Sequence, residues 1–281
     1  MMLDAIVTAG GDPARDADLL AYAADAMGRA APRKALIEVG GKTLLAHVVD
    51  ALRGSDRVRR VVVVGLGPEH RPSFGPDVTF LPDTGSMLGN GKAGVEYLQS
   101  TGEISERLIA ASSDVPLITP QIVDGMLDQC LAYDADFCYN IVEQSVMERA
   151  FPGSGRTFVP IEGKRYAGGD INVVRTAVVE GNLGKLDEII GQRKSFWRQL
   201  SFVGLDTVFL FMIRRLTIAQ VERRVEKVLE FTGKVVISPY AELAMDVDKP
   251  HHLDVVRAAY AAANAAANAA ANADQQETFA R

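Results

Sequence analysis

Four consecutive valines, Val61, Val62, Val63 and Val64, form the unbroken part of a strand-like stretch over residues 58–65. A strand with one wet face alternates apolar and polar residues, whereas an unbroken β-branched run needs apolar cover on both faces. Comparable short runs occupy residues 3–9, 35–39, 78–81, 107–112 and 136–142. Between them lie stretches with helical apolar spacing at 17–27, 43–53, 88–98 and 121–131. Buried strands alternating with amphipathic helices predict an α/β chain: a three-layer α/β/α sandwich around a mostly parallel sheet.

From about 143 to 230 the pattern changes. Short extended pieces at 156–161 and 170–174 precede helical stretches at 183–191, 195–201, 203–213 and 217–228, which predicts a helical insertion in the C-terminal half. A late strand follows at 231–238, and a last helix starts at Pro250 and runs to about 260; proline suits a first helical turn. Residues 1–257 are therefore expected to form one domain. Residues 258–281 are a low-complexity tail with Asn264, Asn268 and Asn272 spaced through alanines. The tail has no apolar face to dock, and reads as a helical extension or disorder without a catalytic part.

In a parallel sheet, ligands bind beyond the carboxyl ends of the strands. Gly10-Gly11 and Asp114 both fall at such ends. The glycine pair reads either as a tight turn or as bare backbone amides brought up to a phosphate. Asp114 is a helix cap, a loop residue or an oxygen ligand for a divalent metal. Asp246 and Asp248, two apart in an extended stretch, can face the same side, or can favour a helix N-terminus through its dipole. Joined by the sheet, Asp114 and this pair make a plausible Mg²⁺ site. Arg33-Lys34 are either solvated charges or phosphate contacts; their place between the glycine pair and the first long helix favours the second. Gly168-Gly169-Asp170 is a bulge or hairpin, or a backbone approach to a second substrate.

Other chemistry is excluded by spacing. The G-x-G-x-x-G dinucleotide fingerprint fails because Asp12, Pro13 and Ala14 follow Gly11, and a P-loop fails because Leu36 stands where its first glycine belongs. Ser112-Ser113 lacks the G-x-S-x-G elbow, and the four histidines show no metal spacing. A net charge of −6 argues against a basic nucleic-acid face. Cys130 and Cys138 fit neither a disulfide framework nor a CxxC pair, so a reducing cytoplasm is the expected location. No secretory leader and no membrane span are expected.

The ordered set AGG, PRKAL, GGKTLL, SSDVPLIT, GGDIN and DVDKPHHLDVVR, spread over residues 3–257, resembles the MobA-like nucleotidyltransferases of the GT-A-type fold. That group includes molybdenum-cofactor guanylyl- and cytidylyltransferases and many sugar-phosphate nucleotidyltransferases. The resemblance implies that Ala9, Gly10, Gly11, Arg33 and Asn90 border the nucleotide and that Lys34 contacts its phosphates. It implies Asp114 and Asp248 as Mg²⁺ ligands, with Asp246 a weaker candidate, and Gly168, Gly169 and Asp170 on the acceptor side. One departure stands out. Relatives carry G-x-G-x-R and then a lysine within a short loop; here residues 12–32 separate Gly11 from Arg33.

The implied reaction is attack of a small acceptor on the α-phosphate of an NTP, with Asp114 and Lys34 catalytic and pyrophosphate released. The rivals are a GT-A glycosyltransferase and a non-catalytic nucleotide-binding protein. The first needs a D-x-D after the central strand, where this chain reads Ser112-Ser113-Asp114.

Overall fold

The computed structural model describes residues 1–28, 31–75, 77–181 and 216–279. Its centre is a nine-stranded sheet built from β1 (Leu3–Thr8), β4 (Val58–Val64), β5 (Val78–Leu81), β6 (Arg107–Ser112), β7 (Phe137–Glu143), β8 (Val159–Ile161), β9 (Lys164–Gly168), β10 (Ile171–Arg175) and β11 (Gly233–Ser238). The order is β5-β4-β1-β6-β10-β7-β9-β8, with β11 on the other side of β7. Only β9 and β10 run against the other strands, so the sheet is mostly parallel as predicted.

The valine run shows why both faces are covered. Val61 and Val63 enter the core under α2 (Leu44–Arg53) and α4 (Pro120–Leu131). Val62 and Val64 point the other way, toward α3 (Met87–Ser100) and α6 (Thr176–Gly181). Each buried valine or leucine contributes roughly 1.5–3 kcal/mol relative to exposure. Helix starts follow the local chemistry. Thr43, Ser86 and Thr119 cap α2, α3 and α4 through their hydroxyls. Asp114 is thus not the cap of α4.

Three elements differ in detail from the sequence expectation. Residues 35–39 are not one strand: Lys34–Leu36 form a 3-10 turn, and only Glu38–Val39 (β2) is extended, paired in a hairpin with Lys42–Thr43 (β3). The glycines between β2 and β3, Gly40 and Gly41, have φ of 59° and 82°. The described part of the region 143–230 holds α5 (Gln144–Ala150), strands β8 to β10, α6 and α7 (Ile218–Leu229). The helices expected at 183–191, 195–201 and 203–213 lie outside the described residues. The last helix, α8, spans Pro250–Phe279, so the alanine-rich tail continues it.

A third apolar cluster lies beside the carboxyl ends of the strands. It joins Leu19 and Ala23 of α1 (Ala17–Met27) to Ile37, Val39 and Leu44, and to Val247, Leu253 and Val256 at the start of α8. The Tyr22 hydroxyl donates to Asp254 at 2.7 Å, fastening α1 to α8. Between Gly11 and Arg33 the chain thus carries a docked helix, α1. Among the described residues, no helix is long and apolar enough to cross a membrane.

Candidate nucleotide and metal site

Strands β1 and β6 pair from Asp4 with Leu108 to Thr8 with Ser112, so their carboxyl ends are adjacent. The chain leaves β1 through Ala9-Gly10-Gly11 and β6 through Ser113-Asp114. The Ser113 N–H donates to the Thr8 carbonyl at 3.2 Å and holds the two exits together.

The glycine turn is packed from below. Gly65 (φ 117°) lies so close that a Cβ there would fall 2.0 Å from the Gly10 nitrogen. A Cβ on Gly10 would meet Asn90 and Asp83 at 2.8 and 2.9 Å. Asn90 is buried and committed: it accepts from the Thr84 N–H and hydroxyl, both at 2.8 Å, and donates to Asp83 at 3.1 Å. It therefore shapes the turn from beneath. Burial opposes ionisation of Asp83, but hydrogen bonds from Gly85 and Asn90 and the Arg33 charge outweigh it and hold the carboxyl below its usual range. Arg33 donates to the Gly11 carbonyl at 2.5 Å. A narrow cleft remains, bordered by Ala9, Gly10, Gly11, Arg33, Lys34 and Ser113.

The acidic residues converge beside that cleft. The Val247 N–H donates to the Asp114 carbonyl at 3.0 Å and brings the 246–248 segment against the β6 exit. One carboxylate oxygen from each of Asp114, Asp246 and Asp248 lies within 4.8 Å of the others. The Ser112 hydroxyl donates to Asp114 at 2.5 Å. The Lys34 ammonium sits 2.5 Å from Asp114 and 2.7 Å from Asp248. Burial works against its charge, yet the two carboxylates hold its pKa above the usual lysine value.

Asp170 also belongs here. Its N–H donates to Leu243 and its carbonyl accepts from Ser112, which fixes it between β10 and the acidic segment. Burial, then the charges of Asp246 and Asp114, push its carboxyl up to about 9. Burial and Asp114 likewise raise Asp246, whereas Lys34 and Asp246 help to hold Asp248 low despite burial. Arg156 is paired with Asp246. Four carboxyl groups thus face two cations, and burial together with mutual repulsion pushes two of them toward the protonated form. A convergent set of hard oxygen donors with excess negative charge fits a divalent cation such as Mg²⁺.

The other acceptor-side residues serve the backbone. The Gly169 N–H donates to Asn140 at 2.8 Å, and a Cβ on Gly168 would strike the Tyr139 hydroxyl at 2.2 Å. The structure thus brings Ala9, Gly10, Gly11, Arg33, Lys34, Asp114 and Asp248 to one place, with Asp170 on its far side and Asn90 below. Sequence reasoning missed Arg156 and Asp83. Arg156 follows a loop of proline and glycines with no spacing signal, and Asp83 looks like an ordinary turn residue.

The chain is similar to several known proteins. The GlmU bifunctional proteins of Caulobacter vibrioides and Ralstonia nicotianae are 31% and 36% identical over about a third of this chain. The matches span only 21% and 22% of those proteins' length. A hypothetical transferase from Thermus thermophilus superposes with a TM-score of 0.75 at 27% identity, over 90% of this chain and all of that one. A CMP:2-keto-3-deoxy-manno-octonic acid synthetase complexed with CTP gives a TM-score of 0.58 at 15% identity, covering 93% and 99% of the two chains, and shares the fold. Residues 5–188 match the MobA-like NTP transferase domain. With a match over most of its length and the sheet, glycine turn and acidic cluster in place, the chain belongs to the MobA-like NTP transferase family.

Proposed function

We propose that this chain transfers a nucleoside monophosphate from an NTP to a small phosphorylated acceptor, with release of pyrophosphate and dependence on Mg²⁺. The observation that carries this reading is the single boundary between the glycine-lined cleft and the acidic cluster, with Lys34 standing on it. The structural relatives named for CMP and diphosphocytidyl products are consistent with it.

In this reading the Gly10 and Gly11 backbone and Arg33 seat the triphosphate, and Asn90 with Asp83 keeps the glycine turn in shape. Asp114 and Asp248 hold the cation, with Asp246 beside them. Bound there, Mg²⁺ supplies charge neutralisation at the α-phosphate. An acceptor phosphate oxygen forms the new bond to the α-phosphorus as the bond to the bridging oxygen breaks, and pyrophosphate leaves with that electron pair. Lys34 offsets the charge on the leaving group. A phosphate nucleophile is already ionised, so no general base is required. Gly168, Gly169 and Asp170 form the acceptor side.

The test is a panel of four NTPs with Mg²⁺ and pooled small phosphorylated metabolites, scored for pyrophosphate. Release that requires one NTP and one acceptor pool supports the reading. A rise in melting temperature with NTP, without pyrophosphate from any pool, favours a binding protein.

A further inference from the structure

Lys34 faces two ways. Its side chain borders the cleft beside Gly10, Gly11 and Arg33, yet its ammonium is bound between Asp114 and Asp248 at 2.5 and 2.7 Å. Two oxygens that share one Mg²⁺ at about 2.1 Å each lie no more than about 4.2 Å apart, with the cation between them. That is the place the ammonium takes. An ammonium has three donors and no lone pair, so it cannot join a coordination sphere, and it repels a divalent cation at such range. Asp246 offers no independent way in, because Arg156 already holds it.

We propose that Lys34 is a resident counter-ion which a divalent cation must displace, so that the site accepts the cation together with a triphosphate and resists the cation alone. This rests on Asp114 and Asp248 being the cation ligands. In the free protein the ammonium neutralises the two carboxylates. A triphosphate in the cleft gives Lys34 new acceptors on its other side, and its flexible stem allows the move without the backbone following. The vacated oxygens then take the cation that arrives with the phosphates. The ligand of this site is therefore the cation–triphosphate complex, loaded as one unit.

The experiment measures Mn²⁺ binding to the nucleotide-free full chain by electron paramagnetic resonance. Wild type is compared with Lys34→Met, which keeps the length and removes the charge, and with Lys34→Arg, which keeps the charge. Each is repeated with Asp114→Asn. The expected result is Mn²⁺ binding about tenfold tighter in Lys34→Met than in wild type, within the usual range of coupling between ligands, with Lys34→Arg as weak as wild type. Equal or weaker binding in Lys34→Met, abolished in each case by Asp114→Asn, overturns the displacement while leaving the ligands in place. Binding indifferent to Asp114→Asn overturns the ligand assignment itself. If Lys34→Met does not fold, wild type decides: the ¹⁵N-lysine ammonium signal of Lys34 should hold its position in Mg²⁺ alone and move when inorganic tripolyphosphate is added with it. A full move in Mg²⁺ alone rejects the proposal.

Discussion

The backbone N–H of Asp248 donates to Nδ1 of His252 at 3.2 Å, one turn further along the chain. The histidine is buried, and burial together with the Arg156 charge lowers its pKa to about 4, so it is neutral near pH 7. Its Nδ1 is therefore free to accept, and it fixes the peptide that carries the Asp248 carboxylate. Such supporting bonds typically change metal affinity by 10–100-fold when removed. In the presence of inorganic tripolyphosphate, His252→Ala should weaken Mn²⁺ binding by about tenfold. His252→Asn leaves a similar cavity but restores an acceptor, and should recover part of the loss. Equal affinities in the two variants would show the histidine to be mere filling.

Asp114→Asn should lower pyrophosphate release by at least about a hundredfold, the scale on which catalysis loses a key electrostatic group. The fold should survive. Asp114 contributes to the repulsion that raises Asp170 and Asp246, so removing its charge relieves strain as well as breaking the Lys34 pair. A melting temperature within a few degrees of wild type, together with lost turnover, is the expected pair of results.

At the opposite end of the sheet, Asp4 is fully buried and is gripped by both Arg59 and Arg60. The register slips between Leu3 and Asp4, which lets two successive residues of β4 reach one carboxylate. Burial disfavours the charge, but the two guanidinium groups and the Ser105 N–H outweigh it and hold the pKa far below the usual range. The folded pKa lies below the unfolded value of about 3.9, so the stabilisation is complete above that pH and declines as pH falls beneath it. Asp4→Asn should destabilise by about 3 kcal/mol at neutral pH, the low end for a broken buried pair, since both arginines are partly in water. Its denaturant midpoint should also vary less than that of wild type between pH 5 and about 2.

Gly65→Ala should damage nucleotide binding without altering any residue of the cleft. The position has φ of 117°, and the new Cβ would fall 2.0 Å from the Gly10 nitrogen, a backbone atom that cannot rotate aside. Strain of this kind costs of order 1–3 kcal/mol. Relief by pushing the Gly10 turn outward should appear as a raised KM for NTP, and a KM equal to wild type would refute the link.

The chain beyond residue 264 should be dispensable. Residues 261–266 are exposed, whereas the Tyr260 ring covers Gly40 and packs edge-on against His47 at 4.9 Å between centroids. Deletion after residue 264 should leave melting temperature and turnover unchanged. Tyr260→Ala should lower both, because it uncovers the hairpin that follows Lys34.

The strand–helix alternation was readable because burial on both faces writes itself into consecutive valines, and Val61 to Val64 do divide between the two cores. Asp114 and Gly10-Gly11 were readable as neighbours because strand ends in a parallel sheet share one side. Other parts were not. Val39 is extended but Lys34–Leu36 turns, since two residues of hairpin satisfy the local apolar pattern as well as a five-residue strand does. Arg156 reaches Asp246 across ninety residues of sequence, and no local period encodes such a pairing. The family resemblance places Asp170 on the acceptor side, but its closeness to Asp246 and Asp114 depends on β10 running against β6, an orientation its sequence does not record.

The ring of Tyr260 over Gly40 has a consequence for the order of synthesis. Gly40 has φ of 59°, and the space beside it where another residue would carry Cβ is filled by that ring. The lysine that borders the cleft thus precedes a hairpin sealed from more than two hundred residues downstream, and Asp248 arrives scarcely earlier. A ribosome must deliver nearly all of the globular part before either can take its place. A nascent chain halted midway would hold the glycine turn and Asp114 but neither the ring that seals the hairpin after Lys34 nor Asp248.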